Sequence, residues 1–295
     1  MQIIGMLCAT GAALFWACAI IMFKKSGDLL SPTALNLFKG IVTLVLLVPT
    51  LILSKTPFFP QRPIEEWLLF GASGFIGIAL ADNFFFMALK RLGAGLWAVV
   101  ECFYLPSVII MSAIFLNEEI GVQGVMGAVL VVAAIFAGTY SGKLVNCSKR
   151  DLFTGLFWGG LAVSLMAASI IIVKPLLEHT SVLWASFVRL LAGVAGLLAM
   201  AGLHPERKTI MAVLVPSQAW KIALPGAIVG NYLAMMAWLA GFKYTLVSVA
   251  AILNQLATIF IFILAAIFLK EPVTFPRLIA ILLAVAGALL AAGSA

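Results

Sequence analysis

Four charged residues stand within stretches of sequence that are otherwise almost wholly apolar: Lys39, Asp82, Glu101 and Arg189. Glu101 is the clearest case, because it lies in LWAVVECFYLPSVIIM (96–111), among aromatic and aliphatic residues. Burying an ionised group is costly unless a partner or a ligand compensates for its lost hydration. Charged groups of both signs in such places could bind the charged groups of a small molecule, and a carboxylate could also carry a proton.

The chain that must position these residues has the composition of a membrane protein. Of its 295 residues, 64% are hydrophobic and 10% are charged, whereas soluble domains average about 45–50% and about 25%. The mean hydropathy is +1.19. Because about 20 apolar residues in helical form span a bilayer, the sequence predicts an all-α polytopic membrane protein with no soluble domain. Ten transmembrane helices are predicted, at residues 3–23, 31–53, 67–89, 95–116, 121–141, 152–173, 181–202, 220–242, 246–269 and 274–293.

Two halves of the sequence resemble each other at a nearly constant spacing. Residues 67–118 align with residues 220–271 at an offset of 153, and upstream an offset of 150 pairs Lys39 with Arg189. A unit of five spans is odd, so the second copy must enter the membrane from the opposite side. Inverted repeats of this kind are a transporter architecture. The sequence therefore predicts two inverted five-helix repeats, residues 1–146 and 147–295, around a central cavity.

Helical geometry predicts that the polar residues of both halves meet near the membrane midplane. Lys39, Asp82 and Glu101 each lie roughly 9–12 Å from the same membrane face, at about 1.5 Å per residue. Arg189 and Asn254 occupy the matching layer measured from the opposite face, in a hydrocarbon core about 30 Å thick. One cavity is thus predicted to collect these substrate-binding candidates: Trp16, Asn36, Lys39, Asp82, Trp97, Glu101, Tyr104, Arg189, Asn231 and Asn254.

Structural roles compete with ligand binding at some of these positions. Lys39 could pair with Asp82 or Glu101 simply to join helices. Arg189 has no acid within the spans of its own half, which favours an anionic group on a ligand or a bridge to Glu101. Asn254 occupies the position of Glu101 in the second repeat, so the fold accepts a neutral amide there. This asymmetry favours a functional role for the carboxylate at position 101.

Glu101 is also the candidate for proton coupling. An apolar setting favours the neutral acid, whereas a nearby Lys39 or Arg189 favours the carboxylate. An acid that is protonated near neutral pH could couple transport to proton movement, whereas a permanent carboxylate would bind a substrate amine or hold a cation in place. From the sequence we adopt the hypothesis that Glu101 takes up and releases a proton during transport.

Several residues recur at matching places in the two halves. They are a Trp in the first span of each half (Trp16, Trp158), a basic residue in the second (Lys39, Arg189), and the FLNE and FLKE ends of the fourth spans, together with ALKRLGAG at 88–95. This pattern resembles the EamA-type transporters of the drug/metabolite transporter superfamily, and the similarity extends over essentially the whole chain. The resemblance implies ten helices around a central cavity and the export or exchange of small metabolites, but no particular substrate.

The predicted function is secondary transport by alternating access. The predicted substrate is a small polar metabolite, an amino acid or a related zwitterion or organic anion, and the predicted direction is export. Two alternatives stay open: an antiporter of anionic metabolites resembling nucleotide sugars, and a non-coupled pore. The protein is expected to be a multi-pass protein of a bacterial or archaeal inner (cell) membrane, a monomer or homodimer, with a small-molecule substrate and the lipid bilayer as its partners.

Other function classes are disfavoured by the residues that the sequence lacks. Residues 71–74 match the GxSG pattern of rhomboid proteases, but a Ser nucleophile needs a His base, and His179 and His204 both lie in predicted loops. Zinc chemistry lacks ligands, and Asp82 has no second intramembrane Asp for an aspartyl protease. No enzyme activity, catalytic residue, metal or cofactor is therefore predicted. The net charge of +7 is spread over short loops and is not expected to bind nucleic acid.

The loop charges predict an orientation. The loops between spans 1–2, 3–4, 5–6, 7–8 and 9–10 form one face, here called the basic face, with twelve Lys and Arg against four on the other face. The positive-inside rule places the basic face in the cytoplasm and both termini outside, whereas the family resemblance implies both termini inside. At the ends of the fourth spans, Glu118 and Glu271 are expected to be solvated, although the family pattern implies a role in closing the loops that follow.

Overall fold

The structure is a computed structural model that describes residues 2–116, 122–123, 125–127, 129–130, 133–134, 148–177, 179–245, 250 and 253–292. All regular secondary structure in these residues is helical. Most of the predicted fifth span, the first residues of the predicted ninth span and Glu118 lie outside the described residues.

Twelve helices are described here, some of them consecutive parts of one membrane-crossing stretch. In chain order they are α1 Gln2–Gly27, α2 Pro32–Leu53, α3 Ile64–Gly74, α4 Asp82–Glu101, α5 Tyr104–Leu116, α6 Lys149–Leu177, α7 Val182–Leu203, α8 Arg207–Met211, α9 Trp220–Gly226, α10 Ala234–Tyr244, α11 Leu256–Phe268 and α12 Phe275–Ala292. Two π-helical turns join α3 to α4 (Phe75–Ala81) and α9 to α10 (Ala227–Leu233).

Six helical stretches of the described chain are long and apolar enough to cross a membrane. They are Gln2–Gly27, Pro32–Leu53, Ile64–Glu101, Lys149–Leu177, Val182–Leu203 and Trp220–Tyr244. The molecule is therefore an integral, multi-pass membrane protein. The ten helices, their inverted arrangement and the two repeat boundaries stay predictions.

Helix breaks occur at corresponding places in the two sequence halves. The offset of 153 aligns the two π-helical turns to within one residue. It also aligns the turn at Cys102, directly after Glu101, with the turn at Gln255, directly after Asn254. Pro106 contributes to the first break, because proline has no N–H to donate to the Cys102 carbonyl. Both site candidates thus lie at the end of a helical segment.

The core of the molecule lies where the two sequence halves pack against each other. Helix α4 packs on α6, α2 on α7, and α1 on both α10 and α11. Small residues allow the close approach, as is usual between membrane helices: a Cβ on Gly74 would overlap the backbone carbonyl of Arg189, and one on Gly230 would overlap Ala19. The backbone of α7 is consequently held against α3 at the point from which the Arg189 side chain extends.

Gly74→Ala is expected to destabilise the protein, because the added methyl group would meet backbone that cannot move aside. Overpacking of this kind costs about 1–3 kcal/mol. Gly71→Ala, one turn earlier in the same helix, is the matched control, since its Cβ would lie 3.9 Å from the nearest side-chain atom, Cβ of Ala192. Thermal unfolding of both variants in detergent measures the difference. Equal losses of stability would contradict the close approach at Gly74.

Candidate functional site

A cavity of about 150 Å³ lies between helices of both halves. A buried water needs roughly 10–15 Å³ by this kind of measure, so the cavity is large enough for a small metabolite. Helices α1, α2, α4, α5, α6, α7, α10 and α11 contribute to its wall. Nine of the ten predicted site residues line it: Trp16, Lys39, Asp82, Trp97, Glu101, Tyr104, Arg189, Asn231 and Asn254.

Lys39 and Asp82 form a buried ion pair in this cavity. Lys39 Nζ donates to Asp82 Oδ2 at 2.5 Å and to Asn231 Oδ1 at 3.1 Å, and Asn231 Nδ2 donates to Thr43 Oγ1 at 2.9 Å. Lys39 and Thr43, four residues apart, share one face of α2, while Asn231 comes from the π-helical turn of the second half. Lys39 therefore pairs with Asp82 and not with Glu101, and the pair neutralises itself.

Asn36 is the one predicted site residue that does not line the cavity. It is fully buried, and its Nδ2 donates to the Ile78 carbonyl at 2.8 Å. Since Ile78 belongs to the π-helical turn Phe75–Ala81, the bond holds α2 against that turn, directly before Asp82. The contact indicates a positioning role, and direct substrate binding by Asn36 stays a prediction.

Arg189 is held by uncharged groups. Its Nη1 donates to Ser73 Oγ and, at 3.3 Å, to the Ser169 carbonyl. Its side chain is buried, and its Nε has no hydrogen-bond partner among the described residues. None of the ion pairs among the described residues includes it, so the predicted bridge to Glu101 is not formed. These bonds fix the guanidinium in position, but no ion pair among the described residues neutralises its charge.

Glu101 likewise has no cationic partner in the part of the chain that the structure describes. Its Oε1 accepts a hydrogen bond from the Trp16 indole nitrogen at 2.5 Å, and Trp97 is a second polar neighbour. Its Oε2 has no hydrogen-bond partner in the described protein. Phe85 fixes both indoles, with ring centroids 5.4 Å from Trp16 and 4.7 Å from Trp97. Neither Lys39 nor Arg189 pairs with this carboxylate, contrary to the two alternatives that the sequence suggested.

Three further polar groups of the cavity have no hydrogen-bond partner among the described residues. They are the Tyr104 hydroxyl, the Asn254 amide nitrogen and the Trp97 indole nitrogen. Buried polar groups nearly always have partners, and each exception needs an explanation. These groups line the same cavity as Arg189 and Glu101, so they can bond to a polar ligand or to water that fills it.

Sequence reasoning missed several residues of this site. Ser73 and Ser169, which hold Arg189, are polar residues inside apolar spans, and that signal could have identified them. Met166, Met235 and Trp238 also line the cavity. In sequence they look like any packed helix face, so no signal distinguished them.

The expectation that Glu271 is a solvated helix end is wrong. Its carboxylate accepts hydrogen bonds from the backbone N–H groups of Ala94 at 2.9 Å and Gly95 at 3.0 Å. The contact therefore lies at the connection between the predicted third and fourth spans, and it joins the two sequence halves.

The chain is similar to several known proteins. The family model described as "EamA-like transporter family" matches residues 3–139 and 153–293. An "Uncharacterized transporter" of Archaeoglobus fulgidus is 24% identical over 271 residues, which cover 91% of this chain and 90% of that protein. A solved structure described only as "Crystal structure of protein" has a TM-score of 0.72 at 16% identity and covers 99% of this chain and 97% of that chain. At this identity the structural likeness concerns the fold alone.

Lys39→Met is expected to destabilise the protein strongly, because it leaves the Asp82 carboxylate buried without its cation. Breaking a buried pair from one side costs about 3–5 kcal/mol. The double variant Lys39→Met, Asp82→Asn should recover most of that loss, since no charge is left unpaired. Thermal unfolding of the wild type, both single variants and the double variant measures the coupling. A double variant no more stable than Lys39→Met would show that the pair is not the main stabilising contact of Asp82.

Proposed function

We propose that this chain, which belongs to the EamA-like transporter family and is therefore a membrane transporter, is a secondary transporter that exports a small zwitterionic metabolite such as an amino acid. The proposal depends on one observation. Arg189 and Glu101 line the same cavity, and neither has an ion-pair partner among the described residues.

The charges of the cavity favour a ligand with one anionic and one cationic group. Lys39 and Asp82 cancel each other at 2.5 Å, which leaves one guanidinium and one carboxylate for the substrate. A substrate carboxylate would accept from Arg189, whose planar donors suit a carboxylate, with Tyr104 and the Asn254 amide as further donors. A substrate ammonium would donate to Glu101 Oε2, which has no partner within the described chain.

The same pair weighs against an antiporter of anionic metabolites resembling nucleotide sugars. Such a substrate needs several available cations, but Lys39 is already bonded to Asp82 and Asn231. Glu101 would in addition repel an anion unless it were protonated. A non-coupled pore is the third possibility, and saturation of flux and its stimulation by substrate on the far side distinguish a transporter from a pore.

Alternating access is supported by the way in which the site is divided between the halves. Lys39, Asp82 and Glu101 come from the first half, and Arg189, Asn231 and Asn254 from the second. Helix breaks follow Glu101 and Asn254 directly, and broken helices near the midplane are the usual substrate sites of inverted-repeat transporters. In this proposal ten helices form two inverted repeats, 1–146 and 147–295, that rock against each other in the inner membrane of a bacterium or archaeon.

Reconstituted protein in liposomes tests the substrate class. We expect saturable, trans-stimulated flux of a neutral amino acid, and little flux of analogues that lack either the amino or the carboxylate group. Arg189→Gln should weaken the apparent affinity for the amino acid by roughly 30-fold or more, because truncating a buried charged contact costs about 2 kcal/mol or more. Glu206→Gln, which changes an exposed carboxylate, is the control. Equal flux of the zwitterion and both analogues would refute the proposed substrate class.

Glu101→Gln tests whether the carboxylate couples transport to protons. The amide keeps the shape of the side chain and can still accept from Trp16, but it cannot take up a proton. We expect the variant to retain substrate exchange and to lose accumulation driven by a pH gradient. Radiolabelled exchange and pH-driven uptake are compared in the same liposomes. Accumulation that still follows the gradient would leave Glu101 with a binding or packing role only.

A further inference from the structure

Residues 94–101 form a short helical segment that is bounded by a break at each end. At its start Gly93 has φ 76° and ψ 173°, a left-handed conformation that glycine adopts readily and other residues avoid. At its end the helix stops at Glu101, and α5 begins only at Tyr104. This half-helix carries Trp97 and Glu101 of the cavity, so any rotation of the segment moves both residues.

Glu271 holds the first turn of this half-helix. Its two carboxylate oxygens accept separately from the N–H groups of Ala94 and Gly95, at the helix end where the peptide dipoles favour negative charge. A Cβ on Gly93 would lie 3.0 Å from Glu271 Oε1, so the fit also requires the absence of a side chain there. Hydrogen bonds to an ionised acceptor are the stronger kind.

The bond connects the two halves of the chain outside the cavity. Glu271 follows α11 in the second half, while the half-helix belongs to the first. Gly93 and Glu271 lie in the connections between spans 3–4 and 9–10, both on the basic face. In the proposed alternating access, the two halves separate at this face when the cavity opens to it, and that separation breaks both bonds.

We propose that Glu271 is a positioning residue for the transport cycle. It latches the half-helix 94–101 to the second half, and thereby couples opening of the basic face to the position of Trp97 and Glu101. The inference rests on the proposed alternating access, but it does not depend on which substrate is carried. The breaks at Gly93 and Cys102 act as the hinges. The half-helix 94–101 turns about them, while α5 and the part of α4 before Gly93 keep their packing.

Accessibility of the cavity from each face tests the latch. The native cysteines at positions 8, 18, 102 and 147 are replaced by serine, and Ala13→Cys, on the cavity wall, is added as the reporter. A membrane-impermeant maleimide is then applied from one face at a time to oriented vesicles. We expect Glu271→Gln to raise the labelling rate from the basic face about tenfold, which is the equivalent of losing one strong hydrogen bond, and to lower the rate from the other face.

Two further variants separate a latch from a simple helix cap. Gly93→Ala should shift labelling in the same direction, because it strains the hinge and displaces Glu271 Oε1. Glu206→Gln, which changes an exposed carboxylate in the connection after α7, should leave both rates unchanged. A lower melting temperature with unchanged labelling in the Glu271 and Gly93 variants would overturn the proposal. Failure of both variants to fold would also overturn it, since Glu271 would then be a structural cap.

The measurement distinguishes failure of the latch from failure of the proposed function. Labelling requires no substrate, so a shift between the faces supports the latch even if no amino acid is transported. Conversely, amino acid flux in the wild type with unchanged labelling in Glu271→Gln would keep the proposed function and refute the latch.

Discussion

A charged group in the hydrocarbon layer has no water to solvate it, so the protein or a ligand must compensate for every such charge. The cavity meets this constraint in three ways. Lys39 and Asp82 compensate each other, Arg189 lies against a hydroxyl and a carbonyl, and Glu101 accepts from an indole. In each case the charged group and its partners belong to different helices. The packing of α2, α4, α6, α7 and α1 around one cavity is the geometric consequence.

The two halves compensate their buried charges differently because their sequences differ at the aligned positions. At the offset of 153, Asp82 corresponds to Met235 and Glu101 to Asn254. The basic residue of the second half, Arg189, therefore lacks the acid that its counterpart Lys39 has. Two sequence halves that resemble each other thus form an asymmetric site, with one neutralised ion pair and two charges that have no ion-pair partner among the described residues. That imbalance is the physical basis of the proposal that the substrate is a zwitterion.

Backbone polarity imposes the same constraint on helix ends. The end of a helix leaves N–H and C=O groups without intrahelical partners, and these groups need other partners. Ala94 and Gly95 find one in Glu271, at the start of the segment that carries Trp97 and Glu101. The sequence places Glu271 at the end of an apolar run, where a solvated position is the ordinary expectation. Only the tertiary structure, which brings Ala94 and Gly95 of the first half beside Glu271, shows that this carboxylate has a backbone partner.

The sequence alone determined the class of protein and the bounds of some helices, and nine of its ten site candidates line one cavity. The predicted spans 31–53 and 181–202 agree with Pro32–Leu53 and Val182–Leu203 to within a residue, because apolar length is a local property that a bilayer selects directly. Tertiary structure alone decided the partner of Lys39, the absence of an ion pair to Arg189 among the described residues, and the position of Asn36 outside the cavity lining. Helical periodicity places a residue on a face of its helix, but it does not say which neighbouring helix that face meets. Partner choice depends on distances between helices, and those are set only when all the helices pack together.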